Sequence, residues 1–133
     1  MVNVIVDYML RSNDERIVIN DYIENDPLSE NNLDKTLYLV NEFRLSSPKK
    51  SVWLYTGFTY EEIMKYEYGT SYINNVNCEA LRQAIFCQCD VVVDGKYIDS
   101  KRDLTLQYRG SDNQRLIDIQ RSLQKGEIVL WQV

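Results

Sequence analysis

The chain has 133 residues, with 15 Lys and Arg against 20 Asp and Glu and no histidine. That length suits one domain that buries a core without disulfide or metal support. A formal charge of -5 argues against a sequence-independent grip on nucleic acid, which needs clustered cations, and the missing histidine removes Ser-His and Cys-His nucleophilic schemes. Cys78, Cys87 and Cys89 form neither an even disulfide framework nor a paired Cys-x-x-Cys zinc spacing. Reduced thiols and a cytoplasmic location are therefore expected. The apolar runs are too short to span a bilayer, so no membrane role is expected.

In chain order, the apolar spacing at 2, 5, 6, 9 and 10 predicts a short helix, and the β-branched run Arg16 to Ile23 predicts a strand. Asp26 is placed to cap a helix that starts at Pro27 and turns Leu33, Leu37, Val40 and Phe43 inward. Ser51 to Thr56 reads as a second strand. Thr59 and Glu62 have capping-box spacing for the helix that follows. Residues 66–77 read as an irregular Tyr- and Asn-rich insertion, after which Asn77 is placed to cap a helix with Leu81 and Ile85 inward. The run C-D-V-V-V (89–93) reads as a buried strand, and Asp94-Gly95 as a turn. Strands are also predicted over Leu104 to Tyr108, over Leu116 to Ile119 and in E-I-V-L-W near the end. The alternation predicts an α/β fold: a small, open, largely parallel sheet with flanking helices and antiparallel additions after Gly95. All 133 residues are expected to form a single domain.

Four stretches carry a family likeness: D-P-L-S-E-N (26–31), V-W-L-Y-T-G-F-T-Y-E-E-I (52–63), C-D-V-V-V-D-G-K-Y (89–97) and D-L-T-L-Q-Y-R-G-S-D-N-Q-R-L-I-D-I-Q (103–120). Together, in this order, they resemble the anaerobic ribonucleoside-triphosphate reductase activating proteins, a radical S-adenosylmethionine family. The resemblance implies the C-terminal part of a radical S-adenosylmethionine partial barrel. It also implies an activase that uses a [4Fe-4S] cluster and S-adenosylmethionine to place a glycyl radical on the reductase.

Two departures from that pattern set the functional expectation. The family's Cys-x-x-x-Cys-x-x-Cys loop has no match, so the chain reads as lacking the N-terminal cluster-binding segment. Glu24 and Asn25 stand before Asp26 and Pro27 where the family has two glycines, and side chains there fill space that a cofactor would need. No catalytic residue, no metal and no cofactor are therefore expected. The alternative is a [4Fe-4S] cluster and S-adenosylmethionine bound once a partner chain supplies the cysteine loop.

The remaining candidates are contact residues. Arg109, Gly110, Asn113, Gln114 and Arg115 read either as a structural turn, with Gly110 at positive φ and the arginines paired to Asp94, Asp103 or Asp112, or as a partner surface. Tyr60, Tyr66, Tyr68 and Tyr72 read as an interface or as a solvated loop. Glu24, Asp26 and Glu30, with Asp21, read as a solvated helix start or as an acidic patch that meets a basic protein. Trp53, Tyr55 and Phe58 read as ligand-stacking or core, with core favoured for Trp53. The expected function is non-catalytic protein binding, for example a phage or mobile-element inhibitor of a host nucleic-acid-binding defence protein. A second version of the binding reading is an accessory that still docks on the anaerobic reductase. The alternative is enzymatic: the C-terminal portion or split half of a radical S-adenosylmethionine glycyl-radical activase whose cluster loop comes from a separate chain.

Overall fold

A computed structural model describes residues 15–67 and 76–132. Four strands form one sheet in the order β1 (Arg16–Val18), β2 (Ser51–Thr56), β3 (Val91–Asp94) and β4 (Arg115–Asp118). β1, β2 and β3 run parallel, and β4 pairs antiparallel with β3. Helices α1 (Leu33–Ser46), α2 (Tyr60–Met64) and α3 (Val76–Phe86) connect the parallel strands, and α4 (Ile119–Lys125) follows β4. This is the open, mostly parallel α/β sheet that the alternating pattern predicts. No described helix is long and apolar enough to cross a membrane.

Side-chain alternation along β2 divides the protein into two layers. Val52 and Leu54 face the helices and join Ile17, Val92 and Ile117 in the main core, where Leu39, Val40 and Phe43 of α1 meet Ile85 and Phe86 of α3. Each such side chain contributes roughly 1.5–3 kcal/mol by leaving water. Trp53 points to the other face and packs with Val91, Val93 and Leu116, flanked by Val18, Tyr55 and Trp131. A one-residue slip of β2 would exchange these two sets, so burial on both faces fixes the register.

Several boundaries differ from the predicted ones, each for a local reason. β1 stops at Val18 because the Asn20 amide takes over the pairing: its Nδ2 donates to Tyr55 O at 2.9 Å and Tyr55 N donates to its Oδ1 at 2.8 Å. Helix α1 starts at Leu33 rather than Pro27, because Asp26 holds the intervening residues in a turn. Leu28 N donates to Asp26 Oδ1 at 2.9 Å and Ser29 N to Asp26 O at 3.0 Å. Residues 104–108 are not a strand. Asp103 Oδ1 accepts from Thr105 N at 2.9 Å and from Thr105 Oγ1 at 2.6 Å, and this local pairing competes with a ladder.

The C-terminal E-I-V-L-W run makes only an isolated bridge, Leu130 to Ile117, along the outer edge of β4. Helix α4 occupies part of the sequence read as strand. Asp118 caps it by accepting from Arg121 N at 3.1 Å, and Gly126 at φ 71° ends it. The capping box at Thr59 and Glu62 is present as predicted. The predicted helix at 2–10, together with Tyr68 and Tyr72, lies outside the described residues.

Candidate functional site

The carboxyl ends of β2 and β3 meet two loops at one edge of the sheet, and this edge gathers the polar groups of the chain. Asp26 ties the first loop to the end of β2. Its Oδ2 accepts from Gly57 N at 2.8 Å, and both carboxylate oxygens accept from Thr56 Oγ1, at 2.9 and 3.0 Å. Asn32 Nδ2 closes the same loop by donating to Glu24 O at 2.8 Å and Asp26 O at 3.0 Å. Asp26 is thus a structural brace, half-buried and fully engaged, and not part of an exposed acidic patch. Glu24 and Glu30 remain exposed. Asn25 adopts φ 65°, the left-handed backbone that favours glycine, while carrying a side chain.

At the end of β3, Asp94 is 1% exposed and would be costly to bury as an unpaired carboxylate. Arg115, its cross-strand partner, neutralises it. Nε donates to Oδ1 at 3.0 Å and the Nη2 amine to Oδ2 at 2.5 Å, while Tyr60 N donates to Oδ2 at 2.8 Å. The same guanidinium reaches Glu61 through bonds of 3.1 and 2.7 Å. Hydrogen bonds donated to Asp94 and Glu61 hold the Arg115 proton more tightly than usual, and Arg115 in turn holds the Glu61 carboxyl below the ordinary glutamate value of 4.5.

A depressed folded-state value contributes stability that is complete above pH 4.5 and is lost as the pH falls through the folded value. Acid titration of stability should therefore be shallower below pH 4.5 in a Glu61→Gln variant than in the parent. Identical pH profiles would remove Glu61 from the network.

Beside this pair lies a cleft of about 500 Å³ lined by Gly57, Thr59, Asp94, Lys96, Asn113 and Arg115. A Cβ on Gly57 would stand 3.0 Å from Lys96 Cγ, so glycine lets the lysine stem lie across the strand end. Asn113 Nδ2 donates to Lys96 O at 2.8 Å, and Asn113 Oδ1 is buried without a hydrogen-bond partner.

The motif R-G-S-D-N-Q-R is the frame of this edge. Arg109 donates to the carbonyls of Asp112, at 3.3 Å, and Gln114, at 2.5 Å. Gln114 Oε1 accepts from Gly110 N and Ser111 N while its Nε2 donates to Gly95 O. The expected arginine pairing to Asp94 holds for Arg115, whereas Arg109 takes backbone carbonyls instead. Gly110 does not supply the positive φ; Tyr108 does, at 64°. A Cβ at 110 would approach the Tyr97 ring to 3.1 Å, so glycine there lets the ring lie close to the backbone. Tyr60 packs edge-on against Phe86, with centroids 5.8 Å apart, so its ring is built into the fold, and the Tyr66 backbone carbonyl accepts from Gln83 Nε2 of α3.

On the opposite sheet face, Trp53 is 2% exposed and stacks edge-on with Trp131 at 4.9 Å and Tyr108 at 5.3 Å. The Arg16 guanidinium lies over both Trp53 and Tyr108, 4.6 and 4.5 Å from the ring centres. A larger cleft of about 800 Å³ runs along this face toward the amino ends of the parallel strands. We place the site at the carboxyl edge instead, where open α/β sheets take their ligands and where the paired charges converge. The sequence reading missed Glu61 and Lys96 here. The only available signal was the closeness of Lys96 to the Asp94-Gly95 turn.

A family model described as 4Fe-4S single cluster domain matches residues 9–117. The chain belongs to this iron–sulfur family. It is 35% identical over 89 residues to the anaerobic ribonucleoside-triphosphate reductase-activating protein of Vibrio cholerae, covering 67% of this chain and 48% of that protein. The namesake of Enterobacteria phage T4 is 34% identical over 91 residues, covering 68% of this chain and 47% of its own length. That of Escherichia coli K12 is 30% identical over 89 residues, again 67% and 48%. The chain spans about half the length of the curated relatives it matches. No solved structure matches it.

Family membership overturns the expectation of no cofactor, because the matching family model is that of a 4Fe-4S cluster domain. The thiols present here do not themselves fit a cluster. Cys89 is fully buried, its thiol faces Ile85 O at 3.4 Å, and burial pushes its pKa up to about 12. Burial also raises the Cys87 thiol, although a ligand must be a thiolate. Among the described residues no three Cys, Asp or Glu side chains are grouped to hold a metal. In the folded protein a thiol reagent should modify Cys78 and Cys87 well before Cys89, which should react only on unfolding. Equal rates at all three would contradict the burial of Cys89.

Proposed function

We propose that this chain is a protein-binding member of the family that docks on an anaerobic ribonucleoside-triphosphate reductase. One observation carries the reading. Sequence shared with reductase-activating proteins covers 67% of the chain, and the stretches read above as family-like, at 26–31, 52–63 and 103–120, build the Asp26, Thr56 and Arg115 edge. The residues are spent on a braced, charge-paired rim rather than on an acid–base pair or a thiolate set. That supports recognition as the task of this part of the fold.

The test is competition. Increasing amounts of the purified chain are added to an anaerobic reductase and its full-length activating protein, and activation of the reductase is followed. Docking predicts a saturable fall in activation as the chain occupies the activase surface. Unchanged activation at a large molar excess of the chain would overturn the reading.

A second reading, inhibition of a basic nucleic-acid-binding protein, is favoured by a separate observation. Asp21, Glu24 and Glu30 are exposed and, among the described residues, form no ion pair within 4.0 Å. Reversing Glu24 and Glu30 to lysine should abolish such binding but leave competition at the reductase unchanged. Asp26 is left out of this test because its loss would disturb the fold.

A further inference from the structure

Residues 95–114 form a loop too long to be mere connection, since connections in compact domains are commonly 4–6 residues. Its base is closed by several hydrogen bonds: Asp112 N to Lys101 O at 3.0 Å, Asp103 N to Gly110 O at 3.2 Å and Tyr55 Oη to Tyr108 O at 2.6 Å. The Gln114 and Asn113 amides tie the same base to Gly95 O and Lys96 O. A loop held this firmly offers a pre-ordered surface, and that lowers the entropic cost of binding.

What the loop displays is unusual for this protein. Tyr97, Ile98, Leu104 and Tyr108 are 50%, 39%, 83% and 40% exposed, half of the large hydrophobic side chains exposed among the described residues. The loop also holds four Lys and Arg against three Asp, in a chain with a formal charge of -5. Lys96, Lys101 and Arg102 are exposed and form no ion pair among the described residues. Clustered tyrosine, leucine and arginine with unpaired cations at the margin describe an interface core and its charged rim.

We infer that the 95–114 loop is the docking arm of the protein, and that its partner surface is an apolar groove rimmed by carboxylates. Charge complementarity selects this occupant over a basic one. The arm's cations would steer the encounter, while Leu104 and Tyr97 would enter the groove. Identifying the groove with the reductase rests on the proposed function; the chemistry of the arm does not.

The experiment uses two probes: a purified anaerobic reductase, and a synthetic 16-residue peptide of alternating glutamate and leucine. Leu104→Asp and the pair Lys101→Glu, Arg102→Glu alter only exposed side chains. Each should weaken binding to either probe by about tenfold or more, and only the charge pair should flatten the salt dependence. Circular dichroism confirms folding, and Leu45→Asp, at an exposed apolar side chain on α1, serves as the control. Reductase binding unaffected by the arm variants would overturn the arm while leaving the functional reading intact. Peptide binding that depends on the arm, with no reductase binding, would sustain the arm and overturn the reductase. No arm-dependent binding to either probe would overturn the arm.

Discussion

Replacing Arg115 with alanine should destabilise the protein by on the order of 3 kcal/mol, a value set by the carboxylate left behind. Asp94 is 1% exposed, and without the guanidinium it would keep only the Tyr60 N–H among its present partners. An unpaired charge in that position must be protonated or hydrated, and either outcome loosens the β3–β4 edge. Arg115→Lys should recover little, because a point ammonium cannot make the paired bonds to both Asp94 and Glu61. Asp94→Asn combined with Arg115→Ala should cost less than Arg115→Ala alone, since the buried charge has gone as well. Urea unfolding midpoints of the three variants check this ordering, and equal midpoints for Arg115→Ala and the parent would refute it.

Trp53→Ala should be of comparable size, about 3–5 kcal/mol, through lost burial and the cavity left in the second layer. Trp53 is the common neighbour of Trp131, Tyr108 and Arg16, so its removal also frees Tyr108 at the root of the docking arm. The variant should therefore lose its near-ultraviolet dichroism and bind the acidic peptide more weakly than its residual folding accounts for. Trp53→Phe keeps an aromatic floor and should retain most of both. A Trp53→Ala protein with parental stability and an unchanged aromatic signal would mean that the second layer contributes nothing.

These two residues also show what the sequence made legible. The run Ser51 to Thr56 before Gly57 announced a strand, and Trp53, favoured as core, is buried, because a short β-prone run ended by a turn residue is a local signal. The capping box at Thr59 was visible for the same reason. The pairing of Arg115 with Asp94 was among the expected alternatives, but its extension to Glu61 was not. That contact joins α2 to β4 across 54 positions, and no local pattern encodes it.

Failures arose where side chains displaced backbone pairing. Asn20 ended β1, Asp26 delayed α1 and Asp103 turned a β-prone segment into a loop. In each case a short polar side chain made a bond that propensity does not count. Gly110 was assigned a turn role when its actual task is to admit the Tyr97 ring, a contact between residues thirteen positions apart. The exposed arm followed from the missing strand at 104–108 and was invisible until that strand was known to be absent.

The most direct measurement is a binding titration of the purified chain into a purified anaerobic ribonucleoside-triphosphate reductase, followed calorimetrically at two salt concentrations. A saturable complex that weakens as salt rises is predicted, because unpaired arm cations contribute to the encounter. A flat titration at concentrations of about 100 μM, near the weak end of specific protein association, would contradict it.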